Sequence, residues 1–307
     1  LIFFSIFFST YILETIVLSF DLRKIFYITN EINKVGNIDK RNRYEVANDL
    51  NKKNGNERKA YSMNLRPHLF VKTDGIYDDE LKKKFLPING ISDSLIVNCL
   101  ESKEWQIYKS DRFGFNNQDE LWNDDNADVI LIGDSFVEGD CVEANQNLNG
   151  RISELTGNKI IALGVGGSGP LFYLARIREY ANQLKPKKII WFHYEGNDLR
   201  NLNYEKHSSI LLNYLSSDFS QKLTEKQNLI NKNFKKFLEK HEELIRKENN
   251  FLRFLKLQSL RNFLRTAKQS LSNKRFPTIG EDEIDETIAL YEKILIRVIQ
   301  DINSYSG

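Results

Sequence analysis

Residues 1–20, LIFFSIFFSTYILETIVLSF, form an apolar run whose one charged residue is Glu14. About 20 apolar residues match the hydrocarbon thickness of a bilayer. This segment is therefore expected to be a transmembrane anchor or signal, with a buried helix as the alternative. Glu14 counts against a span, because a carboxylate at mid-bilayer costs about 2.5–3.5 kcal/mol on insertion scales. Polar and charged positions dominate residues 21–60, which read as a stalk. Residues 61–125 hold short apolar pieces between turn signals and read as an irregular extension with a few short strands. The stretch SDRFGFNN at 110–117 is expected to pack on the domain that follows.

From residue 126 the pattern alternates. ADVILIGDS (127–135), KIIALGVGG (159–167) and KKIIWFHYEGND (187–198) are apolar runs ending in turn residues. The first suits a buried parallel strand, and the other two read as a second and a third strand. Helical spacing lies between them, at 143–156 and at 170–184, where Pro170 stands at a favoured first-turn position. Strand, helix, strand, helix, strand in short units predicts an α/β fold with a parallel sheet. Residues 205–275 lose the alternation and read as helices, with sixteen lysines and arginines against seven aspartates and glutamates. Within them FLRFLKLQSLRNFLR (251–265) suits a membrane-surface helix, or a packed helix with a solvated basic side. EDEIDETIALYEKILIRVIQDI (281–302) is an amphipathic helix with acidic residues in its first turn, as the helix dipole favours. The expected organisation is an anchor or signal (1–20), a stalk and extension (21–125), an α/β core (126–204), a basic helical insertion (205–280) and a helix returning to the core (281–307).

Composition adds limits. A net charge of +2 gives no global bias toward nucleic acid, and no stacking or groove-reading motif accompanies the basic insertion. Cys99 and Cys141 either form one bridge in an oxidising compartment or stand as two thiols. No Cys-x-x-Cys or Cys/His spacing points to zinc, and no metal or cofactor is expected. Arg23 and Lys24 after the apolar run favour a cytoplasmic downstream side, whereas a disulfide would favour the periplasm or cell exterior.

Three strand ends carry the chemistry. Ser135, in Gly133-Asp134-Ser135-Phe136, falls where a buried strand turns into a helix, so its hydroxyl is expected at the rim of the sheet; a simple helix cap is the plainer alternative. Gly164-Val165-Gly166-Gly167-Ser168-Gly169 can present bare backbone N–H groups to a ligand. It fits neither the Walker A nor the dinucleotide-binding spacing. Asn197, in Gly196-Asn197-Asp198, can donate its amide to an oxyanion or merely form a turn.

Together these blocks, GDSF, GVGGSG and EGND over roughly 126–200, resemble the SGNH (GDSL-like) hydrolase family, named for Ser, Gly, Asn and His in four blocks. The resemblance implies a three-layer, flavodoxin-like α/β sandwich. It implies Ser135 as nucleophile, with an oxyanion held by the Ser135 N–H, the Gly167 N–H and the Asn197 amide. The implied activity is that of a serine esterase or O-acyltransferase; the expected anchor and the basic insertion motivate an acylated carbohydrate or lipid at the cell envelope as its substrate. Two departures stand out. Ala162 replaces an Asn common at the start of block two. The fourth block, an Asp-x-x-His that supplies the general base, does not occur; the four histidines are His68, His193, His207 and His241. His193 reads as a packed residue of the third strand. The expectation is that the chain stops before the catalytic pair. The alternative is an inactive glycan- or envelope-binding module of the same fold.

Overall fold

The computed structural model describes residues 2–20, 39–247 except 40, 56–57, 65, 80, 101–103, 125 and 144–145, single residues between 254 and 265, and 280–303. The chain divides into two compact units, one of residues 1–38 with 235–278 and one of residues 39–234 with 279–307.

In the first unit the apolar run forms helix α1 (Ile2–Phe20). The expected anchor is not supported: among the described residues no helix is long and apolar enough to cross a membrane. The single carboxylate of α1 has a protein partner instead. Glu14 is fully buried and accepts the backbone N–H of Leu260 at 2.6 Å, while the Tyr11 ring lies 5.3 Å from that of Phe254. Most of the basic run 251–265 lies outside the described residues.

The second unit begins with α2 (Arg43–Asn54), opened by a reciprocal cap in which Asn42 accepts the N–H groups of Tyr44 and Glu45 and Glu45 accepts that of Asn42. Five short strands follow: β1 (Ala60–Tyr61), β2 (Ile76–Asp78), β3 (Lys83–Phe85), β4 (Leu95–Val97) and β5 (Ile107–Lys109). β1 and β4 pair in parallel, β4 and β5 antiparallel, and β2 with β3 form a hairpin.

The α/β region then runs β6 (Val129–Gly133), α3 (Ser135–Glu138), α4 (Leu148–Thr156), β7 (Ile160–Gly164), α5 (Pro170–Arg176), β8 (Lys188–Trp191), α6 (Asp198–Glu205) and α7 (Ser209–Asn213). α8 (Gln227–Lys247) follows, its residues from 235 on counted with the first unit, and α9 (Glu281–Asn303) belongs to the second. The fold is mixed α/β with a parallel sheet in the order β7-β6-β8, Ile130 pairing with Ile161 on one side and Ile189 on the other. Every residue of β6 and β7 is buried, as expected of strands covered on both faces. On one face Val129, Leu131, Ile160 and Ala162 pack with Val137 and with Leu148 and Ile152 of α4. On the other, Trp191 meets Tyr173 of α5 edge-on at 5.0 Å and Tyr291 of α9 at 6.4 Å.

The 110–117 stretch is built onto this sheet. The buried Asp111 carboxylate gathers the N–H groups of Phe113 and Phe115, the Asn117 amide and the Trp122 indole. Burial raises its pKa to about 6, and those four donors work the other way. Asn117 then uses its carboxamide as a strand would. It accepts the Ala162 N–H and donates to the Ala162 carbonyl, both at 2.9 Å, closing the outer edge of β7. Cys99 and Cys141 are joined, with 5.3 Å between their Cα atoms. The bridge pins the loop after α3 to the strand region before it. Closing a loop of 42 residues contributes about 2–4 kcal/mol in the chain-entropy picture.

Candidate functional site

The site is the carboxyl end of the parallel sheet. β6 ends at Gly133, where a side chain would strike Val137 and Phe192. Asp134 caps α3 by accepting the Phe136 N–H at 3.0 Å, which makes Ser135 the first helical residue. Ser135 is half-buried and Phe136 is exposed, its ring 5.0 Å from that of Tyr194. The three loops expected to meet here do converge. Asn197 donates its side-chain N–H to the second oxygen of Asp134 at 3.1 Å, so the turn after β8 is tied to the residue preceding Ser135. The loop after β7 reaches the same place: a Cβ at Gly164 would lie 2.8 Å from the Asp134 carbonyl oxygen and 2.2 Å from Glu138 N.

That glycine loop is held from three directions. The Gly166 N–H donates to Glu138 at 2.6 Å. Ser168 accepts Arg176 Nη2 at 2.5 Å, and its carbonyl accepts the Tyr173 hydroxyl and the Asn201 amide. Arg176, fully buried, also donates to the carbonyls of Ile88 and Gly133. Burial lowers its pKa to about 10. Glu205 accepts the N–H groups of Gly169 and Leu171 at the start of α5. Gly167 adopts φ +74°, and a side chain there would collide with the His68 ring, 2.5 Å from its Nδ1.

His68 was one of four histidines with no site role in the sequence; the structure lays it on the expected oxyanion glycine. Its Nδ1 is buried and unpaired among the described residues. Burial, and then the Arg66 charge, hold its pKa below the ordinary value, so the ring is neutral at neutral pH. Arg66, two residues earlier, pairs with Glu138 at 2.7 Å and reaches Asp140 at 3.5 Å. Burial opposes its charge, but those carboxylates outweigh it and its pKa is raised. Tyr108 completes the cluster, donating to Glu138 at 3.1 Å and accepting Asn64 at 2.8 Å. None of these extension residues was assigned a role from the sequence.

A correction concerns His193. β8 closes at Trp191, so His193 lies beyond the strand, in the segment that leads into the turn at 195–197. Its Nδ1 is 3.2 Å from the Asp198 carboxylate and 3.2 Å from the Tyr291 hydroxyl. Asp198 is fully buried and also accepts the Tyr194 N–H and the Tyr173 hydroxyl, each at 3.0 Å. Burial raises its pKa to about 6, against those hydrogen bonds and with the help of the Asp134 charge. An imidazole held through Nδ1 by a buried carboxylate is the arrangement of a general base with its orienting acid. Among the described residues one group of three metal-ligating side chains lies together, Cys99, Asp140 and Cys141, and its two cysteines are joined in the disulfide.

Glu205 offers a pH test of the scaffold beneath the loop. Burial pushes its carboxyl up to about 8 from an ordinary 4.5, although the backbone N–H groups favour its charge. Between those values the folded chain keeps a proton that the unfolded chain releases. Its contribution to stability is thus expected to fall as pH rises from 4.5 to 8 and to level off above. Glu205→Gln cannot ionise, so its melting temperature relative to wild type should climb across that window. A difference that does not change with pH would refute this account.

Comparison of the chain with protein-family models, with curated proteins and with solved structures found no match.

Proposed function

We propose that the protein is an acyl-transfer enzyme of the SGNH type, with Ser135 as nucleophile and a three-layer α/β sandwich as its frame. The observation that carries this reading is the meeting of Asp134–Ser135, the glycine loop and Asn197 at one sheet end. Ser135 attacks an ester carbonyl, its proton passing to a base, and the tetrahedral oxyanion forms beside the Gly167 N–H and the Asn197 amide. Asp134 holds one of the two hydrogens of that amide, which fixes its orientation and leaves the other for the oxyanion. His193, oriented by Asp198, is the base on this rim. The intermediate collapses as the ester C–O bond breaks, the alcohol leaving with the proton the base took from Ser135; the acyl-Ser135 then passes its acyl group to water in an esterase, or to a carbohydrate hydroxyl in an O-acyltransferase. An acylated carbohydrate or lipid of the cell envelope is the substrate class this reading favours. The Cys99–Cys141 bridge supports an oxidising compartment, periplasm or cell exterior.

A second reading, an inactive glycan- or envelope-binding module, is favoured by one observation: among the described residues the Ser135 hydroxyl has no imidazole partner. A fluorophosphonate probe separates the two. Incubated with the full chain, it is expected to modify Ser135, located by peptide mass spectrometry. Absence of labelling together with no cleavage of p-nitrophenyl acetate supports the binding module.

A further inference from the structure

Two aromatic rings stand in water at the sheet end that carries Ser135. Phe136 follows Ser135, Tyr194 lies in the segment before Asn197, and they are 58% and 46% exposed. A lone apolar side chain in solvent is ordinary. These two pack together, with 5.0 Å between ring centroids and 59° between planes. They bridge the same two loops that the Asp134–Asn197 hydrogen bond ties. Tyr194 is also supported by its own turn. A side chain at Gly196 would strike its ring, 2.6 Å from Cζ, so glycine there gives the ring its place.

The glycine-loop side of the site is filled. A side chain at Gly166 would run into Arg66, one at Gly167 into the His68 ring and one at Gly169 into Asn201. Val137, Val165, Leu171 and Phe172, from the elements that carry these loops, are fully buried. A chain of methylenes directed toward the glycine loop would have to displace one of these groups, so the acyl group that fits there is short. The open direction is over Phe136 and Tyr194. A long alkyl chain is held in proportion to the apolar area it loses to water, and so needs a groove that covers it on several sides. Two half-exposed rings cover one side only. A sugar ring is amphipathic, with C–H groups on its face and hydroxyls around its edge. It can lay that face on an aromatic platform and keep its edge in water.

We propose that Phe136 and Tyr194 form the specificity subsite of this rim, a platform on which a sugar ring of the substrate stacks, so that the ester cleaved is a short-chain, acetyl-type ester of a carbohydrate and not a long-chain lipid ester. The inference rests on the reading of Ser135 as nucleophile and narrows its substrate class.

The test is a kinetic comparison on the full chain. Across p-nitrophenyl acetate, butyrate and octanoate only the acyl group changes, and kcat/KM is expected to fall by about 100-fold or more from acetate to octanoate. Among O-acetylated xylotetraose, O-acetylated cellotetraose and O-acetylated chitotetraose, at least one should be deacetylated. On that sugar Phe136→Ala and Tyr194→Ala should each raise KM about tenfold and change kcat less. Phe136→Tyr and Tyr194→Phe keep the rings and should stay near the wild-type KM. The subsite is overturned if octanoate is cleaved as well as acetate, if a chain that cleaves p-nitrophenyl acetate deacetylates none of the sugars, or if both alanine variants keep the wild-type KM. Each of those outcomes leaves the fluorophosphonate labelling of Ser135 intact. Absence of that labelling, with p-nitrophenyl acetate uncleaved, removes the nucleophile and the subsite with it.

Discussion

Ser135→Ala is expected to lower ester cleavage by about 10⁴-fold or more while leaving stability within about 0.5 kcal/mol of wild type. The two halves of this expectation come from different links of the chain. The hydroxyl forms the covalent bond to the acyl group, so no neighbouring donor can stand in for it. Structurally it contributes little. Ser135 is the first residue of a four-residue helix, the cap is supplied by Asp134, and alanine has the better helix propensity. Asn197→Ala should cost less, about 10²–10³-fold, because it removes one oxyanion donor of three. It should act on kcat more than on KM, since the amide meets charge that exists only in the transition state. The measurement is kcat and KM on p-nitrophenyl acetate alongside thermal melts. Activity of Ser135→Ala within tenfold of wild type would remove Ser135 as nucleophile.

The parts of the site that reside on strand ends were legible in the sequence, because a buried parallel strand writes a continuous apolar run and then a glycine turn. ADVILIGDS and KIIALGVGG became the buried β6 and β7, each four residues shorter than read, whereas KKIIWFHYEGND kept only four of its twelve residues as β8, where Lys188 and Ile190 are exposed. Asp134 and Asn147 set helix starts that hydrophobic pattern alone places only roughly. The helix expected over 170–184 is continuous in the chain, but it loosens to a π-turn at Ile177–Ala181 and a 3-10 turn at Asn182–Leu184. Periodicity cannot separate such turns, since all of them bury one face. The apolar run 1–20 became a helix as read, but its role depended on a contact 246 residues away, between Glu14 and Leu260. No window on the sequence contains both. The same limit hid Arg66 and His68. Their partners Glu138 and Gly167 are brought to them only by folding, and in isolation each looks like an ordinary polar residue of a loop.

Arg66→Met is expected to destabilise the protein by about 3–5 kcal/mol, the largest loss of stability predicted for a single change here. Arg66 spans 72 residues to meet Glu138, whose side chain is 1% exposed. Removing the guanidinium leaves that carboxylate buried with the Gly166 N–H and the Tyr108 hydroxyl as its remaining donors. Two neutral donors compensate a desolvated charge far less than an ion pair does, so the loss exceeds the value of the pair itself. The double variant Arg66→Met/Glu138→Gln removes both charges and should recover a substantial part of the loss, because the amide oxygen can still accept the Gly166 N–H while its NH2 donates to the Tyr108 hydroxyl oxygen. Urea unfolding of the two variants, read at unchanged m-value, measures the difference. The consequence for the site follows from geometry: Glu138 is the tie between α3, which begins at Ser135, and the loop that presents Gly167. At temperatures where Arg66→Met is still folded, its kcat should therefore fall, and the double variant, which keeps the Gly166 tie, should regain more of it than the single. A single variant destabilised by less than about 1 kcal/mol, or a double variant no more stable than the single, would show that the extension does not hold the glycine loop through this pair.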